Sequence, residues 1–73
     1  KPDYLVEVLS DDRAYAIVVG EFHHFDPAQR CFSRLIAGEP PMRVMMRRRA
    51  HVFGNYIPPR LRESYDRSAE YPV

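Results

Sequence analysis

The sequence predicts a small α+β domain, and three observations lead to that class. The chain has 73 residues, which is enough for a single hydrophobic core. Two aliphatic runs flank an Asp-rich turn near the N-terminus, and this pattern is typical of an antiparallel β-hairpin. A segment with clear helix start and stop signals follows. We therefore expect an N-terminal hairpin, one capped helix, a second Arg-rich helix or strand, and a largely disordered C-terminal tail.

The hairpin is predicted from residues 3–10 and 13–21, which are rich in aliphatic and β-branched side chains. Asp11 and Asp12 lie between the two runs and favour a turn. Neither run alternates cleanly between apolar and polar residues. We therefore expect both faces of the hairpin to be at least partly covered.

Residues 27–37 are predicted to form a helix. Asp26 can cap the free amides of the helix start, and Pro27 suits the first helical position. Apolar side chains then recur at helical spacing: Ala28, Cys31, Phe32, Leu35 and Ile36. Gly38 predicts a left-handed end to the helix, and the two prolines that follow prevent its continuation.

Residues 42–53 allow two interpretations. Met, Arg and Ala are good helix formers, while Pro41 and Gly54 suit a helix start and stop, so we predict a second helix. Arg49 would then lie among apolar side chains. Apolar side chains in the same segment also alternate partly as in a strand, so the alternative of a third strand added to the hairpin stays open.

The pattern weakens from Gly54 onward. Residues 60–73 contain only Leu61 and Val73 as aliphatic side chains larger than alanine. We therefore predict a compact domain over residues 1–57 and a flexible tail over residues 58–73, which a partner could order.

Cysteine content and hydropathy restrict the class of protein. A single cysteine excludes an internal disulfide and a cysteine-based zinc cage, and it suits a reducing compartment. No apolar run approaches the length of a membrane span. We expect a soluble chain in the cytoplasm.

The charges are unevenly distributed along the chain. The net charge is +1, but residues 1–26 carry six acids against two basic residues, and residues 27–52 carry six arginines against one glutamate. Ten of the eleven basic residues are arginine, which is enriched at interfaces. A chain polarised in this way favours one orientation on a charged partner.

Catalysis and metal binding find little support. The adjacent His23 and His24 would point to opposite faces of a strand, and neither forms a recognised ligand spacing with His51, Cys31 or Asp26. Cys31 falls on the apolar face of the predicted helix, where a thiol is usually inert. We expect no enzyme activity, no cofactor and no metal.

The arginine cluster is the strongest functional feature. On the helical interpretation, Arg43 and Arg47 lie one turn apart with Arg48 beside them, and such like charges repel unless an acidic partner relieves them. The candidate partner-binding residues are Arg43, Arg47, Arg48, Arg60 and Arg62. The near-neutral chain and its acidic hairpin favour a protein partner over nucleic acid.

Aromatic side chains near the arginines also suit a protein interface: Tyr4, Tyr15, Phe22, Phe25, Phe53 and Tyr56. Three alternatives stay open. They are a small Arg-rich RNA- or DNA-binding module, a solvated basic face with no partner, and a small subunit of a larger enzyme.

The acidic hairpin, the capped helix, segment 42–49 and the tail over 58–73 together resemble a small phage-encoded regulator of bacterial RNA polymerase. The similarity in size and order covers essentially the whole chain. The resemblance implies a transcription inhibitor and antiterminator that binds near the N-terminus of the polymerase's largest subunit. Such binding would hinder sigma-factor engagement at host promoters and let elongating polymerase read through terminators. The resemblance assigns no residue roles.

Overall fold

A computed structural model describes residues 1–67 of the chain and confirms the α+β class. In chain order the elements are β1 (Tyr4–Leu9), β2 (Ala16–Phe22), α1 (Phe25–Ala37), β3 (Arg43–Arg48), β4 (His51–Tyr56) and α2 (Pro59–Asp66).

The four strands form one antiparallel sheet with the order β2-β1-β3-β4. β1 and β2 form the predicted hairpin. Their turn is held by the Asp12 carboxylate, which accepts the Ala14 amide at 3.0 Å and the Ser10 hydroxyl at 2.8 Å. Arg13 adopts a left-handed φ of 60° at the same turn. Both edges of the sheet, β2 and β4, contain a bulge.

Residues 42–53 are not a helix, and that prediction is wrong. They form the β3–β4 hairpin, so the alternative of a third strand is correct and a fourth strand accompanies it. Val44 and Met46 pair with Val8 and Val6 of β1 and are almost fully buried. Their alternate burial outweighs the helix propensity of the Met and Arg residues around them. Arg49, at a φ of 54°, makes the tight turn between the strands.

α1 covers one face of the sheet and forms the core. Ala28 and Phe32 pack against Val6, Val44 and Met46. The Phe32 ring lies so close to Gly54 that an added Cβ there would come within 2.8 Å of it. Only a residue without a side chain lets β4 approach the helix this closely.

Both ends of α1 differ in detail from the prediction. The helix begins at Phe25, two residues early, and Asp26 lies in its first turn without capping it. Asp26 still favours the helix, because a negative charge near the N-terminus complements the helix dipole. At the C-terminus, Gly38 has a φ of −83°, and Glu39 is the left-handed residue at 49°.

α2 extends ordered structure into the predicted tail. Residues 59–66 contain Leu61 as their single aliphatic side chain larger than alanine, yet Tyr65 is only 1% exposed. Its ring lies under the guanidinium of Arg13 at 4.2 Å and near that of Arg43 at 4.9 Å. The tail was expected because this segment has few aliphatic side chains. An aromatic ring can instead be buried by packing against cations, as Tyr65 is. Residues 68–73 of the predicted tail lie outside the described residues.

Candidate partner-binding surfaces

Arg43 is an internal residue and not a surface contact. Its side chain is largely buried, at 8% exposed for the residue. Its Nε donates to the Asn55 side-chain oxygen at 2.8 Å, and its guanidinium lies over Tyr65. These contacts join β3 to β4 and α2, so Arg43 holds the sheet face opposite α1 together.

Arg47 pairs with an acid that the sequence analysis did not single out. Its Nε donates to Glu7 Oε1 at 2.7 Å, and its second terminal nitrogen donates to Glu7 Oε2 at 3.1 Å. A third bond runs from Arg47 to the Arg49 carbonyl at 2.8 Å. The hydrogen bonds that Arg47 donates to Glu7 raise the pKa of Arg47 above its ordinary value. The sequence contains one signal for this pair: Glu7 is the single acid within an apolar strand, so a buried partner for it is expected.

Arg60 is also engaged within the chain. Its two terminal nitrogens bind the Asp11 carboxylate at 3.0 and 2.9 Å, and its Nε donates to the Pro41 carbonyl at 2.7 Å. These bonds fasten α2 to the β1–β2 turn. The hydrogen bond from Arg60 holds the pKa of Asp11 below its ordinary value, and the same bond raises the pKa of Arg60. Arg62 makes a longer bond of 3.4 Å to the Ile57 carbonyl and stays exposed.

Arg48, at the opposite end of β3, is exposed beside a group of rings, of which Tyr4 and Phe25 are half-buried against the core. Its guanidinium lies 5.7 Å from the Tyr4 ring. The rings of Tyr4, Phe25 and Phe53 meet at centroid distances of 5.4–5.8 Å, and His51 lies 4.3 Å from Phe53. Phe53 is 43% exposed. We call these five residues the aromatic–arginine surface. The sequence analysis noted the rings but did not predict that they converge.

A second surface lies at the other edge of the sheet. Residues 14–20 contain no charged residue and no proline, and we call this segment the β2 edge. Its large apolar side chains are strongly exposed: Tyr15, Ile17, Val18 and Val19. Large apolar side chains grouped in this way on a small protein are typical of an interaction surface.

The titratable residues considered for metal binding do not converge. His23 and His24 are exposed at the start of α1, and Cys31 is half-buried on its side. Within residues 1–67, no group of three or more His, Cys, Asp or Glu side chains is arranged to hold a metal ion. Neither helix of this part of the chain has the length and apolar character needed to cross a membrane.

Comparisons of this chain with protein families, with curated proteins and with solved structures found no match.

Proposed function

We propose that this chain is a non-enzymatic protein-binding regulator and that the aromatic–arginine surface makes its main contact. The resemblance to phage-encoded regulators supplies the partner, bacterial RNA polymerase. On this proposal the bound protein inhibits transcription from host promoters by interfering with sigma-factor engagement. It also promotes antitermination.

The partial exposure of Phe53 carries the proposal. Phe53 packs against the rings of Tyr4 and Phe25, and Arg48 lies over Tyr4. An aromatic ring held in this way loses little conformational freedom on binding, and such residues dominate interface energies. Burying its remaining apolar area would contribute roughly 25 cal/mol per Å². Arg43, Arg47 and Arg60 are committed to contacts within the chain, so they support this surface indirectly, through the fold.

A charge reversal at Arg48 tests the proposal. Binding of the full chain to purified bacterial core RNA polymerase is measured by biolayer interferometry for Arg48→Glu and for Arg67→Glu. Arg67 is a matched control, because it is 73% exposed on α2, away from the aromatic–arginine surface. We expect Arg48→Glu to raise the Kd more than tenfold, about 1.4 kcal/mol, and Arg67→Glu to leave it unchanged. Equal binding by both variants would exclude this surface, and no binding by the wild-type chain would exclude the partner.

The nucleic-acid alternative has one observation in its favour. A partly exposed ring beside His51 and Arg48 also suits base stacking on a positively charged surface. Salt separates the two functions. Nucleic-acid binding should lose affinity steeply with salt, by a log–log slope of about −0.7 to −0.9 for each phosphate contacted. A protein interface centred on Phe53 should respond weakly, because salt screens only its charged rim.

A further inference from the structure

We propose that the β2 edge and the neighbouring side of α1 form a second binding site, which accepts an extended acidic and aliphatic peptide segment as an added β-strand. The site lies at the opposite edge of the sheet from β4, so it is separate from the surface proposed above. Three observations carry the inference: the backbone of β2, the groove beside it, and the charge at the rim of that groove.

β2 is open to strand addition. It is the first strand in the order β2-β1-β3-β4, so one side of its backbone has no neighbouring strand among residues 1–67. Natural edge strands usually carry a charge or a proline that discourages pairing. β2 has no proline, and its single charge is Glu21, opposite Leu5 near the end of the strand, so residues 16–20 carry neither. The other protective feature is a bulge at Val19, which lies between Val18, opposite Glu7, and Gly20, opposite Val6.

A groove of about 350 Å³ runs between the end of β2 and α1. Its apolar walls come from Phe22, Cys31 and Leu35. A Cβ added at Gly20 would come within 3.3 Å of the Cys31 sulfur, which shows how closely this side of α1 approaches β2. Alternate side chains of a strand paired with β2 would point toward α1, so apolar side chains would enter this groove.

The rim of the groove is basic. Arg30 and Arg34 line it, lie one helical turn apart, and are exposed. Neither makes an ion pair with another residue within 1–67; the nearest acid along the helix, Asp26, does not reach Arg30. Arginines bind carboxylates with two parallel hydrogen bonds, so acidic side chains of the added strand would be selected here. The groove and its two arginines lie on the same side of the sheet, so the occupant is an extended segment whose α1-facing side chains, at every second position, include both aliphatic and acidic residues.

The test titrates two peptide probes into the isotope-labelled 73-residue chain and follows backbone amide NMR signals. The first probe is a blocked peptide of about eight residues in which valine and glutamate alternate at every second position with threonine between them, so that both can face α1, and the second probe replaces each glutamate with lysine. We expect the acidic probe to shift the signals of Ala16–Phe22, Arg30 and Arg34, and to bind at least tenfold more tightly than the basic probe. It should also slow alkylation of Cys31, the single cysteine.

Variants separate the backbone contribution from the charge contribution. Arg30→Glu combined with Arg34→Glu should reverse the preference between the two probes. Ile17→Glu should weaken binding of the acidic probe more than tenfold, because it removes an exposed apolar contact and places a like charge on the edge. The matched control is Val52→Glu, which places the same charge at an exposed valine of β4 and should leave binding unchanged.

Four outcomes would overturn the proposal. They are no shift at about 1 mM of the acidic probe, equal binding of both probes, shifts confined to β4, and concentration-dependent broadening of β2 signals without any peptide. The last outcome would show that a second copy of the chain occupies the β2 edge. None of these results depends on RNA polymerase, so failure here is distinguishable from failure of the proposed function.

Discussion

The two faces of the sheet are stabilised in different ways. On the face covered by α1, the side chains of Val6, Val44 and Met46 meet Phe32 in a core that is almost fully buried. On the opposite face, the buried residues include Glu7 and Arg43, and Tyr65 of the short helix α2 packs against Arg43. One face depends on apolar burial, and the other depends on ion pairs and on a ring between cations.

This difference explains why Arg43 and Arg47 of the predicted arginine cluster make contacts within the chain. β3 is a central strand, so its side chains alternate between an apolar face and a polar face. Arg43 and Arg47 point to the polar face, where they bind Asn55 and Glu7. A row of arginines in the sequence is therefore largely a structural network, and only its end, at Arg48, is presented on the aromatic–arginine surface. The comparison predicts large effects of mutation on the apolar face and smaller, charge-dependent effects on the other.

The largest effect is expected for Phe32→Ala. Removing this ring leaves a cavity between α1 and Gly54 and should cost about 3–5 kcal/mol, which is much of the stability of a chain this small. Urea unfolding followed by circular dichroism measures the loss, with exposed Ser33→Ala on the same helix as the control. A variant that unfolds at the wild-type urea midpoint would contradict the account of the α1 face.

An intermediate effect is expected for the pair of Glu7 and Arg47. Glu7→Leu alone leaves the Arg47 guanidinium unpaired and should cost about 1–3 kcal/mol. Combining it with Arg47→Leu should recover most of that loss, because replacing both members of an ion pair with apolar residues is often neutral. A double-mutant cycle in urea measures the coupling. If the two losses simply add, the pair is not a stabilising unit.

A smaller effect is expected for Tyr65→Phe. The buried Tyr65 hydroxyl makes no hydrogen bond within residues 1–67, so its removal should be neutral or stabilising by up to about 1 kcal/mol. The ring and its contacts with the two arginines remain. Thermal unfolding measures the change, and Tyr65→Leu is the matched variant that removes the ring and should detach α2. A clear loss of stability in Tyr65→Phe would show that the hydroxyl has a partner.

The smallest effect is expected from acid titration of Asp11. Its pKa in the folded chain is lowered below the ordinary value of 3.8 by Arg60, so the ion pair contributes fully above that value. The contribution is lost as the pH falls through the folded pKa, and α2 should then loosen from the β1–β2 turn. Amide signals of residues 59–66 report this change.

Asp12, beside Asp11 in the same turn, needs a separate control. Its pKa is also lowered, chiefly by the hydrogen bond from the Ala14 amide. Asp11→Asn should abolish the acid response of α2, whereas Asp12→Asn should preserve it. A response that survives Asp11→Asn would remove the ion pair with Arg60 as its cause.

Much of the fold is predictable where the signals are local. The β1–β2 hairpin follows from two β-branched runs around Asp11 and Asp12, and α1 follows from the spacing of Ala28, Phe32 and Leu35. The β3–β4 hairpin was predicted wrongly, because its pairing with β1 joins residues about 40 positions apart, as Val6 and Met46 are. Propensity favoured a helix there, and tertiary pairing overrode it.

The candidate surfaces are also only partly predictable from the sequence. The sequence analysis named Arg48 and the rings of Tyr4, Phe25 and Phe53, but only the folded chain brings them together. It did not recognise the exposure of the β2 edge, because the aliphatic residues 16–19 suggest a buried strand. Their exposure follows from the strand order, which places β2 at an edge.

The sequence by itself determined the α+β class, the first hairpin, the first helix and the separation of acidic from basic halves. These features arise from contacts between neighbours in the chain, which side-chain periodicity and turn residues report directly. Only the tertiary structure decided which arginines are internal, that Tyr65 anchors α2, and which strands form the edges of the sheet. The physical reason is that a charge or a ring has no fixed role until distant segments bring its partner within a few ångströms.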